Sequence, residues 1–284
     1  MVAASLLFAG MGVCVKLGSA RFTAAELVFA RGVIALLILY AYVYFAGLSL
    51  ATPHWRTHLA RGLAGFVSLV LYFYAISVIP LATAVTLNYT SPLFLALLLT
   101  FWLKEKVRPV LFVALAMGFV GVILLLRPTW NSGHIAAGLL GLASGIIASV
   151  AYLNVRRLGE LGEPEWRTVF YFSLIAALGG LPWVLAASWT GGLLHEIDMR
   201  DGLLLLGVGV FGALAQLCMT RAYKHGKTMV SASLAYSTVV FSSLFGMWLW
   251  GETLPFFAFL GMGLILASGI LATALSRAAP VEQD

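Results

Sequence analysis

The 284-residue chain is 62% hydrophobic and 10% charged, far from the roughly 45–50% apolar and 25% charged residues of soluble domains, and this excludes a soluble globular fold. Its formal charge of +6 comes from basic residues gathered in short clusters between apolar runs, a placement that points to loops on one side of a membrane and away from nucleic acid. Cys14 and Cys218 both lie inside apolar segments without metal-ligand spacing, so no disulfide, metal or cofactor is expected.

Hydropathy predicts ten spans in chain order: Val2–Leu17, Ala24–Phe45, Leu59–Ile79, Leu81–Trp102, Val110–Leu126, His134–Val155, Thr168–Ala187, Gly202–Tyr223, Thr228–Trp250 and Pro255–Ser276. The first is short and opens directly on MVAASLLFAGMGVCVK, so it is expected to stay in place as a span. The longest loops, around Gly47–His58 and Ser188–Asp201, are too short for separate domains, and residues 277–284 form a polar tail. Twelve Lys and Arg, from Arg56 and Arg61 through Lys104, Lys106 and Arg108 to Arg277, fall on the side that holds the loops after spans 2, 4, 6 and 8. Five, namely Lys16, Arg21, Arg31, Arg127 and Arg200, fall on the other, which places both termini in the cytoplasm.

Spans 4 and 9 organise the rest. Adding 147 carries Ala75 onto Ala222, Leu87 onto Leu234, Tyr89 onto Tyr236 and Glu105 onto Glu252. At offset 141, Val28-Phe29, Ile34-Ala35 and Leu37 recur as Val169-Phe170, Ile175-Ala176 and Leu178. A five-span unit used twice must thread the membrane in opposite senses, so the expected fold is an all-α integral membrane protein of ten transmembrane helices, built as two inverted five-helix repeats around a central cavity. The repeats are assigned to residues 1–131 and 132–276.

Each central span carries polar residues near mid-depth: Asn88, Tyr89, Thr90, Ser91 and Pro92 in span 4, and Tyr236, Ser237 and Thr238 in span 9. Such a pair suits a solute pathway, and it equally suits hydrogen bonds between packed helices. Pro92 lacks an N–H and frees the carbonyl of Asn88, which could bind an ammonium group or be satisfied by Thr90. Tyr72 and possible walls at Ser68 and Tyr74 come from span 3, Ser149 and Tyr152 from span 6, and Gln216, Met219 and Thr220 from span 8. The substrate-binding candidates are therefore Tyr72, Asn88, Tyr89, Ser91, Tyr152, Gln216, Met219, Tyr236 and Ser237, with Pro92 as the helix break or gate.

No acidic or basic residue is expected near the centre of a span, and His54, His58, His134, His195 and His225 fall in loops or at span ends. Glu26 and Arg31 are expected to pair with each other or with Lys16 at the outer end of span 2. Without an intramembrane carboxylate to carry a proton, the expected mechanism is a facilitator. Glu105 and Glu252 are expected to cap the helices that follow them, and Trp102, Trp130, Trp166, Trp183, Trp189, Trp248 and Trp250 to anchor span ends.

The chain resembles the EamA family of the drug/metabolite transporter superfamily over essentially its whole length. The resemblance rests on Lys16 closing the first span, the run RGVIALLIL at Arg31–Leu39, the passage YAISVIPLATAVTLNYTSPLFLALL, and the acidic turns WLKEKVRP at Trp102–Pro109 and WLWGETLP at Trp248–Pro255. Within the family it is most similar to YddG-type exporters of aromatic and other neutral amino acids. The resemblance implies a bacterial inner-membrane exporter that works by alternating access, is not an enzyme, and can act as a monomer in the lipid bilayer. It also implies a cavity lined mainly by spans 1, 3, 4, 6, 8 and 9, with spans 5 and 10 peripheral. The alternatives are a drug or other metabolite exporter of the same fold, and a non-transporting membrane scaffold. No HExxH, GxSxG or paired intramembrane carboxylates support an enzyme.

Overall fold

The computed structural model describes residues 1–79, 81–105, 108–126, 135–189, 198–251 and 254–277. Among these every regular element is helical: α1 (Val2–Gly18), α2 (Ala24–Phe45), α3 (Trp55–Val78), α4 (Leu81–Asn88), α5 (Ser91–Leu97, running into a π-helical turn at Leu98–Trp102), α6 (Pro109–Leu126), α7 (Ile135–Glu160), α8 (Glu165–Trp189), α9 (Met199–His225), α10 (Thr228–Ala235), α11 (Ser237–Trp250) and α12 (Phe256–Arg277). Span 4 is α4 plus α5 with its π turn, and span 9 is α10 plus α11. Eight spans are long and apolar enough to cross a membrane, and α1 and α3 complete the ten.

The packing follows the duplication. An exchange of repeats maps span 1 on span 6 and span 3 on span 8, and the contacts of α1 with α9 are mirrored by those of α3 with α7. Spans 2 and 7 pack on each other, as do spans 5 and 10, and span 4 lies on α7 as span 9 lies on α1. Two close approaches depend on glycine: a Cβ at Gly32 would lie 2.8 Å from the backbone N of Ala177, and one at Gly121 would lie 2.7 Å from the carbonyl of Gly261. Small residues allow such contact where no hydrophobic force drives helices together in lipid.

Both ends are tied by polar contacts. At the end opposite the start of α1, Thr23 and Glu26 form a capping box on α2, Asp198 and Asp201 form one on α9, and Arg21 bridges to both aspartates at 3.0 and 2.5 Å. Glu26 is thus held by Thr23, and of the expected pairings the one with Arg31 does not form. At the other end Glu105 takes Arg156 of α7 at 2.8 Å. Glu252, its repeat mate, lies outside the described residues, as do Lys106, Arg127, Trp130, His134, His195 and the repeat boundary at residue 131.

Glu163, between α7 and α8, is the hub of that second end: it accepts from Thr52 and from Arg167 Nη1 (2.8 Å), and its carboxylate faces the fully buried His58 at 3.4 Å. Lys224 Nζ donates to its backbone carbonyl at 3.0 Å. Burial works against the carboxylate, but the hydrogen bonds from Thr52 and Arg167 and the charges of Arg167 and His58 outweigh it and hold the Glu163 pKa below the ordinary glutamate value.

Two outcomes are expected. Gly121→Val forces α6 off α12 and lowers stability by about 1–3 kcal/mol, read as thermal melting in detergent; an unchanged melting point contradicts the close approach. Because the folded pKa of Glu163 lies below its unfolded value, the stability it contributes is full above about pH 4.3 and is lost as pH falls through the lower folded value. Glu163→Gln should melt lower at neutral pH and lose that acid dependence.

Candidate functional site

The two broken spans carry the same local device. Thr90 Oγ1 donates to the carbonyl of Leu87, and Ser237 Oγ donates to the carbonyl of Leu234, each at 2.5 Å and at positions related by the 147-residue offset. Each hydroxyl adds a donor to a carbonyl at the break, where Leu87 also accepts from the Thr90 N–H at 3.2 Å and Leu234 from Ser5 Oγ at 3.3 Å. The Asn88 carbonyl, released by Pro92, lies 3.1 Å from where a Cβ at Gly145 of α7 would stand, so it is packed against a neighbouring helix. Tyr89 and Tyr236 then meet across the repeat interface with ring centroids 6.2 Å apart; the Tyr89 hydroxyl bonds Thr238, and Phe119 flanks Tyr236 at 6.5 Å. Tyr236 is fully buried and does not face lipid.

Beside these rings stand two arginines. Arg31 enters about 10 Å along α2 from one end of the bundle, and Arg61 about 9 Å along the antiparallel α3 from the other. Both guanidinium groups reach Phe172 of α8, at 5.7 and 3.9 Å from its ring centroid. Arg61 is 2% exposed; its Nη2 donates to Gln216 Oε1 at 3.0 Å, while its Nε and Nη1 have no hydrogen-bond partner. Tyr152 faces both cations, which also face each other. Room for them comes from glycines: a Cβ at Gly212 would stand 2.9 Å from Arg31 Nε, and one at Gly65 would stand 2.6 Å from Arg61 Nη1. Arg31, Gly32, Phe172, Gly212 and Gln216 help line a cavity of about 10 Å³, room for a single water.

Tyr72, Tyr89 and Tyr152 are each half-buried, as is Arg31, which lines the small cavity. Tyr72 neighbours Tyr89, Tyr89 neighbours Tyr152, and Tyr152 stacks on Tyr223 at 5.4 Å. The structure thus brings Tyr72, Tyr89, Tyr152 and Gln216 together. Asn88 gives its amide to Ser144 at 3.0 Å, within a network that includes Ser68. Ser91 is buried, and Met219 packs into the hydrophobic core beside Tyr236. Ser149, fully buried, bonds its own helix at Ile146, and Tyr74 is 49% exposed. Ser237 lines a separate crevice of about 490 Å³ between α1, α10, α11 and α12.

Sequence reasoning missed Arg31, Arg61 and Phe172, and the expectation of a hollow without charge is corrected by the first two. Arg61 was counted with the basic residues of the loops because a start at Leu59 left it at the very end of span 3; α3 begins at Trp55, which carries Arg61 nearly two turns inside. The signal lay in the repeat: at offset 141, Arg31 falls on Phe172, a cation in one copy where the other has an apolar ring. The cavity between α2, α3, α8 and α9 also brings in spans 2 and 7, which the resemblance did not imply.

Ten apolar spans around a lining of tyrosines, one amide and two guanidinium groups define a membrane carrier of small solutes. The family model that matches is the EamA-like transporter family, over residues 1–127 and again over 135–274, and the chain belongs to that family. It is 33% identical to the pseudopaline exporter of Pseudomonas aeruginosa, over 97% of this chain and 94% of that one. Identity to the riboflavin transporter of Vibrio cholerae is 27%, covering 94% and 89%, and to the S-adenosylmethionine uptake transporter of Rickettsia prowazekii 24%, covering 76% and 75%. A solved protein crystal structure, 21% identical, superposes with a TM-score of 0.84 over 97% of this chain and 95% of that one, which shows the fold.

Replacing Gln216 with Leu removes the acceptor of Arg61 Nη2 from a buried site. It should lower stability by about 1–3 kcal/mol in detergent melting, whereas Gln216→Glu, which keeps the acceptor and adds charge, should raise the melting point relative to Leu.

Proposed function

We propose that this transporter exports amino acids with aromatic or other neutral side chains, and small derivatives of them, from a bacterial cytoplasm across the inner membrane. Both termini lie in the cytoplasm in this reading, as the basic residues favour. The chain acts as two repeat units, residues 1–131 and 132–276, alternating about the tyrosine pair, with the break at Pro92 as a hinge. The observation that carries the reading is the half-buried group of Tyr72, Tyr89, Tyr152 and Arg31 in a chain of this family.

An amino acid needs polar groups for its charged end and an aromatic or aliphatic wall for the rest. Tyr72, Tyr89, Tyr152 and Gln216 contact the solute, and Asn88, Ser91, Met219, Tyr236 and Ser237 hold the walls around them. The pseudopaline exporter among the relatives supports the outward direction. Transport is facilitated, because no carboxylate lies on the lining among the described residues to carry a proton through the cycle.

A second reading, export of another metabolite, is favoured by the relatives named for riboflavin and S-adenosylmethionine.

Purified protein in liposomes should exchange radiolabelled phenylalanine or leucine down a gradient. Tyr89→Ala should cut that flux about tenfold while the melting point stays near that of the parent. An imposed pH difference without a solute gradient should drive no accumulation; uphill uptake under those conditions would rule out a facilitator. Exchange of riboflavin without exchange of either amino acid would favour the second reading.

A further inference from the structure

Arg31 and Arg61 stand inside the bundle with no acidic side chain facing either among the described residues. The electrostatic neighbours of Arg61 are Tyr152 and Arg31, its hydrogen-bond acceptor is the neutral Gln216, and two of its three guanidinium nitrogens lack partners. Arg31 meets Phe172 and Tyr152. A buried cation without an anion is strongly unfavourable, and two of them side by side repel as well. The nearby carboxylates are engaged elsewhere: Glu26 in its capping box, Asp198 and Asp201 with Arg21, Glu163 with Arg167, and Glu105 with Arg156. Among the described residues the protein supplies no counter-charge at this point, while Gly65 and Gly212 leave the guanidinium groups room to pack against backbone and Phe172.

We infer that Arg31 and Arg61 form an anion-binding centre that takes the carboxylate of the transported solute, and that the preferred solute carries a net negative charge. This rests on the transport reading above and sharpens its substrate class, since a free neutral amino acid brings an ammonium group into a site that already holds two cations. A carboxylate on Arg61 would take one unpaired donor, Nε or Nη1, together with the second N–H of Nη2, whose first goes to Gln216, with Arg31 and Tyr152 nearby, and the aromatic side chains would receive the body of the solute. Derivatives whose amine is acylated, or that carry an additional carboxylate, satisfy the charge balance.

The test uses the full chain in detergent and in liposomes, with four probes that share a phenyl body. N-acetylphenylalanine and 3-phenylpropionate are anions, phenylalanine is a zwitterion and phenylalaninamide a cation. Half-maximal thermal stabilisation should need roughly tenfold less N-acetylphenylalanine than phenylalanine, and phenylalaninamide should give none. Arg31→Gln and Arg61→Gln should each erase the preference for anions, and Arg61→Lys, which keeps the charge without the fork, should restore part of it. Should Arg61→Gln fail to fold, Arg31→Gln and Arg61→Lys still decide the matter. Equal or tighter binding of phenylalanine or phenylalaninamide overturns the inference, as does a charge order that survives both arginine changes. Binding of 3-phenylpropionate without phenylalanine exchange leaves the anion centre standing and removes the amino-acid reading. Binding of none of the four removes both.

Discussion

A guanidinium group cannot be deprotonated at any physiological pH, so a bundle that encloses two of them must arrange everything nearby around their charge. Here Phe172 offers the face of its ring to both, Gln216 offers a neutral oxygen, and Gly65 and Gly212 withdraw so that the planar groups fit. Among the described residues the cations are met by polarisable and dipolar partners. Tyrosines line the rest, and their hydroxyls can turn toward charge of either sign.

The inverted repeat supplies the frame for this centre and then departs from its own symmetry there. Most helix pairs exchange partners, although α7 packs on α9 without a comparable contact between α1 and α3; the two span breaks carry the same hydroxyl-to-carbonyl bond, and Tyr89 faces its own repeat mate. Symmetry fails where chemistry is concentrated: Arg31 answers to Phe172, and Gln216 and Arg61 come from spans 8 and 3 without polar counterparts at their matching positions. Duplication gives a bundle with a hollow at the interface of its halves, and divergence within the hollow gives it polarity.

Much of this architecture was legible because membrane helices leave strong marks: long apolar runs, an offset of 141 to 147 residues between copies, and basic loops. Tyr89 and Tyr236 were legible as matched mid-depth positions, while the meeting of their rings appeared only in the structure. The arginines were hidden for a definite reason. Hydropathy windows place a basic residue near a span end outside the membrane, yet Trp55 begins α3 early, and a long side chain reaches several ångströms inward from its Cα. The fate of individual hydroxyls was equally out of reach, since a Ser or Thr in a span can bond its own turn or a neighbour. Thr90, Ser149 and Ser237 all chose their own turn.

Both arginines of the centre belong to the first repeat, and this fixes how the halves can be combined. Two copies of the first half would double the charge around one hollow, and two copies of the second would abolish it. Neither half can therefore stand in for the other, and joining them in one chain guarantees their one-to-one stoichiometry.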